Sequence, residues 1–293
     1  MKRGIALLLL FSAAGLAFYY SSRHNAQSSV GPEAILNVVA DTEREISRVP
    51  LRLTRLSDQG EIRIGDAMAR AYLNRNPAGA DEDALAHYVA TVGATVAGRA
   101  RRKLPYRFHY IADPSLVNAF ALPGGHVFIG EGLLRLMDTE DELASVLGHE
   151  LEHIDNYHCA ERVQLQARLR HVPLSGLVQL PADIFMAGYS KDQELEADRD
   201  GTALAVMAGY SPSGAIHLFE KLGKLHRAYV LKARNPDQEL SKVAIEGIIG
   251  YFRSHPLPEE REQQVREMIL ENHWPERKER ALRFRPKPFE STR

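Results

Sequence analysis

Twelve consecutive residues, GHELEHIDNYHC (148–159), hold three histidines, two glutamates and the single cysteine of the chain. Within them His149, Glu150 and His153 stand in the spacing HExxH. On a helix, residues four apart share one face a turn apart, so both imidazoles can reach one zinc ion. Glu150 then lies beside the ion, where its carboxylate can take a proton from water. The competing account is a buried network of histidine–glutamate hydrogen bonds, which explains an inward face but not the spacing.

The helix that must carry these residues is legible. Thr139, with Glu142 three residues later, is a capping-box start. Leu143, Val146, Leu147, Leu151 and Ile154 then form an apolar stripe at helical period. Glu150 falls seven residues after Leu143 and His153 seven after Val146, so the motif points inward, where an unpaired charge is costly.

A catalytic zinc usually has three protein ligands and one open position. One route to the third is the extended pattern HExxHxxGxxH, which here puts Asn156 at the glycine and Cys159 at the last ligand. Against it, residues 161–169 read as continued helix, and Cys159 reads as a small buried residue. His158, five residues past His153, turns off the ligand face, which leaves it at the surface or behind a ligand. The other route is a glutamate from KDQELEADRDGTALAVMAG (191–209). Glu194, Ala197, Asp198, Gly201, Ala205 and Ala208 form a stripe of mostly small residues suited to close packing on another helix, while Glu196, Arg199 and Asp200 form a charged stripe suited to solvent. Glu194 is therefore the better ligand, and Asp198, one turn on, is placed to hydrogen-bond a ligand histidine.

The rest of the chain bounds where such a site operates. Its 293 residues are 44% hydrophobic and 26% charged, which suits a folded protein, and the net charge of −1 gives no electrostatic case for nucleic-acid binding. Lys2 and Arg3 precede an uncharged run from Gly4 to Tyr20, so residues 1–20 read as a signal peptide or N-terminal membrane anchor, with a linker at 21–32. Either way the body is expected outside the cytoplasm. No cysteine follows the run, so a lipoprotein is not expected, and lone Cys159 allows no intrachain disulfide. Residues 33–275 read as one α+β, mainly helical domain whose part 33–104 is helical. PYRFHYIAD reads as a strand, and VNAFALPGGHVFIG as two strands about a Pro-Gly-Gly turn. HVPLSGLVQLPADIFMAGYS (171–190) is apolar and broken by prolines, a lid over the site at rest or a buried connection. The basic segment 276–293 reads as a solvated tail.

The ordered set YRF, NAFALPGGHVFIGEGLL, ELASVLGHELEH, ELEADRDG and SHPLPEER, spread over roughly residues 60–270, resembles the HtpX/CAAX-prenyl-protease-type family of zinc metallopeptidases. It is most similar to the family's periplasmic BepA/LoiP/Oma-like branch; the multi-span members are not matched, because only one apolar segment is present. The resemblance implies a gluzincin (zincin-like) fold and one zinc per chain on His149, His153 and Glu194. It makes Glu150 the general base and puts Asp198 behind a ligand histidine. It gives Asn118, Ala119, Phe120 and Ala121 as the strand that receives the substrate backbone. His255, in a His-Pro turn, is implied either to stabilise the oxyanion or to cap the zinc and hold the enzyme latent. The implied function is a zinc endopeptidase of the bacterial cell envelope acting on misfolded or unassembled polypeptides in the periplasm. The alternative is a chaperone-like assembly factor with a latent or structural zinc site.

Overall fold

The computed structural model describes residues 56–76, 83–169, 171, 182–234, 251, 255 and 258–286. The apolar run at 4–20 and the linker at 21–32 lie outside the described residues. Among those described, no helix is long and apolar enough to cross a membrane.

The described residues begin with α1 (Asp58–Arg75), capped by Ser57, and α2 (Asp83–Ala97). Three short strands follow: β1 (Arg107–Ile111), β2 (Ala119–Leu122) and β3 (His126–Gly130). β2 and β3 form the expected antiparallel hairpin, and its turn needs glycine. Gly124 and Gly125 have φ of +78° and +116°, and a Cβ on Gly124 would stand 2.5 Å from the α1 backbone at Ile62. β1 pairs with β3 in parallel, so β3 is central and the order is β1-β3-β2. On one face Phe120 and Phe128 stack on each other and meet Tyr72 of α1 edge-on. On the other, Phe108 lies under α2 so closely that a Cβ on Gly93 would overlap its ring.

After the one-turn helix α3 (Glu131–Leu134) comes α4 (Glu140–Asp155), which carries the HExxH motif. The capping box is formed in both directions: Thr139 Oγ1 accepts from the Glu142 N–H, and Glu142 accepts from the Thr139 N–H. Residues 161–169 are helical as expected, but they belong to a separate helix rather than a continuation of α4. Tyr157 takes a left-handed conformation (φ 63°), and α5 (His158–Leu169) starts in a new direction. A 3-10 turn (Ala182–Ala187) leads to α6 (Lys191–Met207), followed by α7 (Ser213–Arg234) and α8 (Pro258–Glu271).

α4 and α6 pack more extensively than any other pair of elements, and glycines set how closely. A Cβ on Gly201 would stand 2.6 Å from the His149 nitrogen, and one on Gly148 2.6 Å from the Gly201 carbonyl oxygen. The small-residue stripe of α6 thus meets the motif helix backbone to backbone.

The basic C-terminal segment is not a free tail over its described part, 276–286. Thr139 and Ala281 form an antiparallel bridge, and the Glu140 N–H donates to the Arg280 carbonyl at 2.7 Å. Arg277 and Arg280 donate to the Val206 and Gly209 carbonyls at the end of α6. These carbonyls lie at and just past the last turn of α6, the negative end of the helix dipole, which favours arginine there. Buried Asp141 completes the join by accepting from the backbone N–H groups of Ser211 (2.6 Å) and Arg280 (2.7 Å).

Two outcomes follow for stability. Gly201→Val drives a side chain into the α4 backbone and is expected to cost more than the about 1–3 kcal/mol typical of overpacking, read as a lowered denaturant midpoint. Asp141→Ala leaves two N–H groups without their acceptor and is expected to cost about 1–3 kcal/mol in the same measurement; an unchanged midpoint would show that the C-terminal join carries no stability.

Candidate metal centre

His149 and His153 project from α4 and Glu194 from the first turn of α6. Nε2 of His149 and Nε2 of His153 lie 3.1 Å apart. Glu194 Oε2 is 3.5 Å from His149 Nε2, and Glu194 Oε1 is 3.5 Å from His153 Nε2. Ligands at zinc distances of 2.0–2.1 Å in a tetrahedron are about 3.3–3.4 Å apart, so the two imidazole nitrogens and the two carboxylate oxygens that face them are spaced as a zinc ion requires. Within this buried cluster Glu194 Oε1 accepts no hydrogen bond. Such an atom costs free energy unless something positive faces it. The donor set and its orphaned oxygen fit a zinc ion.

His255 is also brought in. Its Nδ1 lies 2.7 Å from Glu194 Oε2, and its ligand atom falls within 4.8 Å of those of His149 and Glu194. His255 therefore braces the glutamate and stands as a fourth side chain around the same point.

The electrostatics of the cluster call for positive charge at its centre. Burial alone would lower the pKa of His149, but the charge and hydrogen bond of Asp198, with Glu194, push it up to about 10. Because Asp198 Oδ1 accepts from His149 Nδ1–H at 2.8 Å, the second proton sits on Nε2, the position a metal would take. Burial would raise Glu194, yet the charges and hydrogen bonds of His255 and His149 hold it well below the carboxylate range. Burial and the neighbouring charge of His149 drive His153 well below the usual imidazole value. Glu150 is pushed up to about 7 by burial, which its attraction to His149 only partly offsets.

Asp198 takes the place expected of it, and its far side is held by a residue that sequence reasoning missed. Arg261, in the first turn of α8, donates through Nε to Asp198 Oδ2 (2.6 Å) and through Nη2 to Oδ1 (2.7 Å). Neither periodicity nor spacing marked it within the amphipathic SHPLPEEREQQVREMILEN. Also missed is Tyr189, the end of the segment 171–190, whose ring stacks on His153 at 3.9 Å; residues 172–181 lie outside the described residues. His158 is buried and touches His153. Cys159 is not brought to the centre: its Sγ lies against the Ala121 carbonyl and the Tyr189 hydroxyl.

A narrow pocket opens beside the cluster, lined by His149, Glu150, Asp198, His255 and Arg261 and by apolar side chains that include Val146, Leu218 and Phe219. Ala119 also lines it, so β2, an edge strand among the described residues, passes the site. Of the four residues expected there, Asn118 precedes the strand, while Ala119, Phe120 and Ala121 lie within it. Phe120 is packed against α1 and turned to the opposite face.

The sequence model of the family described as Peptidase family M48 matches residues 83–269, which include both helices that carry the candidate ligands. The chain is similar to the beta-barrel assembly-enhancing protease of Yersinia pestis, 29% identical over 70% of this chain and 43% of that protein. It is 36% identical to the mitochondrial metalloendopeptidase OMA1 of Arabidopsis thaliana over 39% of this chain and 25% of that one. With the OMA1 of Schizosaccharomyces pombe the identity is 32% over 46% and 44%. The chain thus spans less than half the length of these curated relatives. With the family match covering well over half of its residues and the HExxH helix at its centre, this chain belongs to peptidase family M48.

Proposed function

We propose that the protein is a zinc-dependent endopeptidase in which His149, His153 and Glu194 hold one zinc and Glu150 is the general base. The observation that carries this reading is the approach of two imidazole nitrogens, 3.1 Å apart, each 3.5 Å from one oxygen of the Glu194 carboxylate, with Glu150 beside them in the pocket wall. When bound, zinc supplies Lewis-acid polarisation of a water and of a carbonyl. Glu150, held close to neutral pH by burial, accepts the proton of the attacking water and returns it to the leaving amine. Asp198, itself fixed by Arg261, keeps His149 in the tautomer that offers Nε2. Edge strand β2 takes the substrate backbone as an added strand, which suits unfolded polypeptides because main-chain hydrogen bonds carry little sequence preference.

The site of action in this reading is the cell envelope, with residues 1–20 directing export or tethering the domain. Its substrates are misfolded or unassembled envelope polypeptides. Support comes from the charge and apolar pattern of that segment and from the names of the relatives, one of which refers to assembly of β-barrels. One observation favours the second reading, a binder with a latent zinc site: His255 is bonded to Glu194 within an almost fully buried cluster.

Glu150→Gln separates the two. It is expected to retain zinc and fold while lowering cleavage of a denatured protein at least 100-fold, consistent with the contribution of a general base; cleavage that survives the change would sink the mechanism. For wild type, kcat/KM should fall as pH drops, because Glu150 must be ionised to accept a proton. A bound cation pulls its pKa down, so the midpoint is expected below 7. Zinc affinity should rise with pH, since binding displaces the proton from His149 Nε2; calorimetry in buffers of different ionisation enthalpy reads the released proton.

A further inference from the structure

Each ligand histidine must present its Nε2 lone pair, and each needs a partner at Nδ1 to secure that tautomer and ring angle. For His149 the partner is Asp198. No carboxylate bonds to Nδ1 of His153; there it meets Nδ1 of His158, at 2.9 Å. Two imidazole nitrogens at that distance form a hydrogen bond only if one carries the proton and the other does not. Nε2 of His158 decides which, because it lies 3.3 Å from Oε2 of Glu196. A carboxylate only accepts, so this contact favours the tautomer of His158 with its proton on Nε2. Its Nδ1 is then a bare acceptor, His153 donates from Nδ1–H, and Nε2 of His153 is left free to face the metal position.

We propose that His158 and Glu196 are positioning residues for the metal centre, a histidine–histidine–glutamate relay that sets the tautomer and orientation of His153. The relay rests on the reading of His153 as a zinc ligand. It exists because α4 ends where it does. Five residues along a continuous helix turn a side chain about 140° away. The left-handed Tyr157 breaks the helix and brings His158 back onto His153. Arg102 secures that break, with its guanidinium 3.9 Å from the Tyr157 ring centroid and Nη1 donating to the Ile154 carbonyl at 2.8 Å. Glu196 reaches His158 from the solvent-facing side of α6, and its side chain is 42% exposed. The Tyr189 ring, stacked on His153, leaves that imidazole little freedom to turn.

The test measures zinc affinity of the full chain by chelator competition, with folding checked by circular dichroism. His158→Ala is expected to weaken zinc 10–100-fold, the range found when a partner of a metal-ligating histidine is removed. His158→Gln is expected to recover most of that loss, since its amide can accept from His153 and donate to Glu196. Glu196→Ala sits at the surface and avoids any folding defect; it is expected to weaken zinc several-fold. Histidine-labelled 15N NMR supplies a readout that a packing role would not move. The His153 Nδ1–H resonance, slow to exchange in wild type, should broaden or shift in both alanine variants and return in His158→Gln. Unchanged affinity and an unchanged His153 signal in Glu196→Ala, or in folded His158→Ala, would overturn the relay alone. Zinc bound as tightly by His153→Ala as by wild type would overturn the ligand assignment and the relay with it.

Discussion

The close crossing of α4 and α6 is the constraint on which the rest of the structure depends. A zinc site tolerates only about a few tenths of an ångström in its ligand positions, and two of the candidate ligands come from one helix while the third comes from the other. Side chains can swing to meet across a wide gap, but then they lose the defined rotamers that a metal site needs. Glycine at 148 and 201 removes the two Cβ atoms that would hold the backbones apart, so that short, buried side chains span the remaining distance.

That closeness creates an electrostatic problem, because imidazoles and carboxylates are packed where water does not solvate them. The chain eases it by giving the ligand side chains partners one layer further out. Arg261 neutralises Asp198, which orients His149; His255 braces Glu194; His158 meets His153 and is met by Glu196. An unpaired charge in this setting would be costly, whereas a chain of charge-assisted hydrogen bonds is both tolerable and directional. Glu194 Oε1 is left without a hydrogen bond, 3.5 Å from His153 Nε2.

The scaffold fixes the two helices at both ends. At the start of α4, Asp141 and the C-terminal segment join it to the end of α6 and the turn into α7. At the other end, the loop between α2 and β1 supplies Arg101 to Glu152 and Arg102 to the last turn of α4, and Tyr106 bonds to Asp155. The sheet lies beside this assembly with β2 at its edge, so the strand that runs past the pocket is anchored to the same helix that carries Glu150.

Local patterns in the sequence were enough for the parts of this protein that depend on neighbours within a few turns. The HExxH spacing, the capping box at Thr139, the hairpin about Gly124 and Gly125, and the small-residue face that singled out Glu194 over Glu196 all express the geometry of one element. The parallel pairing of β1, the joining of the C-terminal segment to two helix ends, and the roles of Arg261, Tyr189 and His158 were not legible in this way. Each depends on where separate elements meet, and residues 261 and 198, or 196 and 158, carry no periodicity that links them. His158 shows the reason most plainly. Helical spacing points it away from the site, and a single left-handed residue, stabilised by an arginine more than fifty positions earlier, turns it back. The sequence by itself determined which side chains could hold a metal; only tertiary packing decided which others would orient them, because hydrogen-bond direction is set by distances between elements that no one element contains.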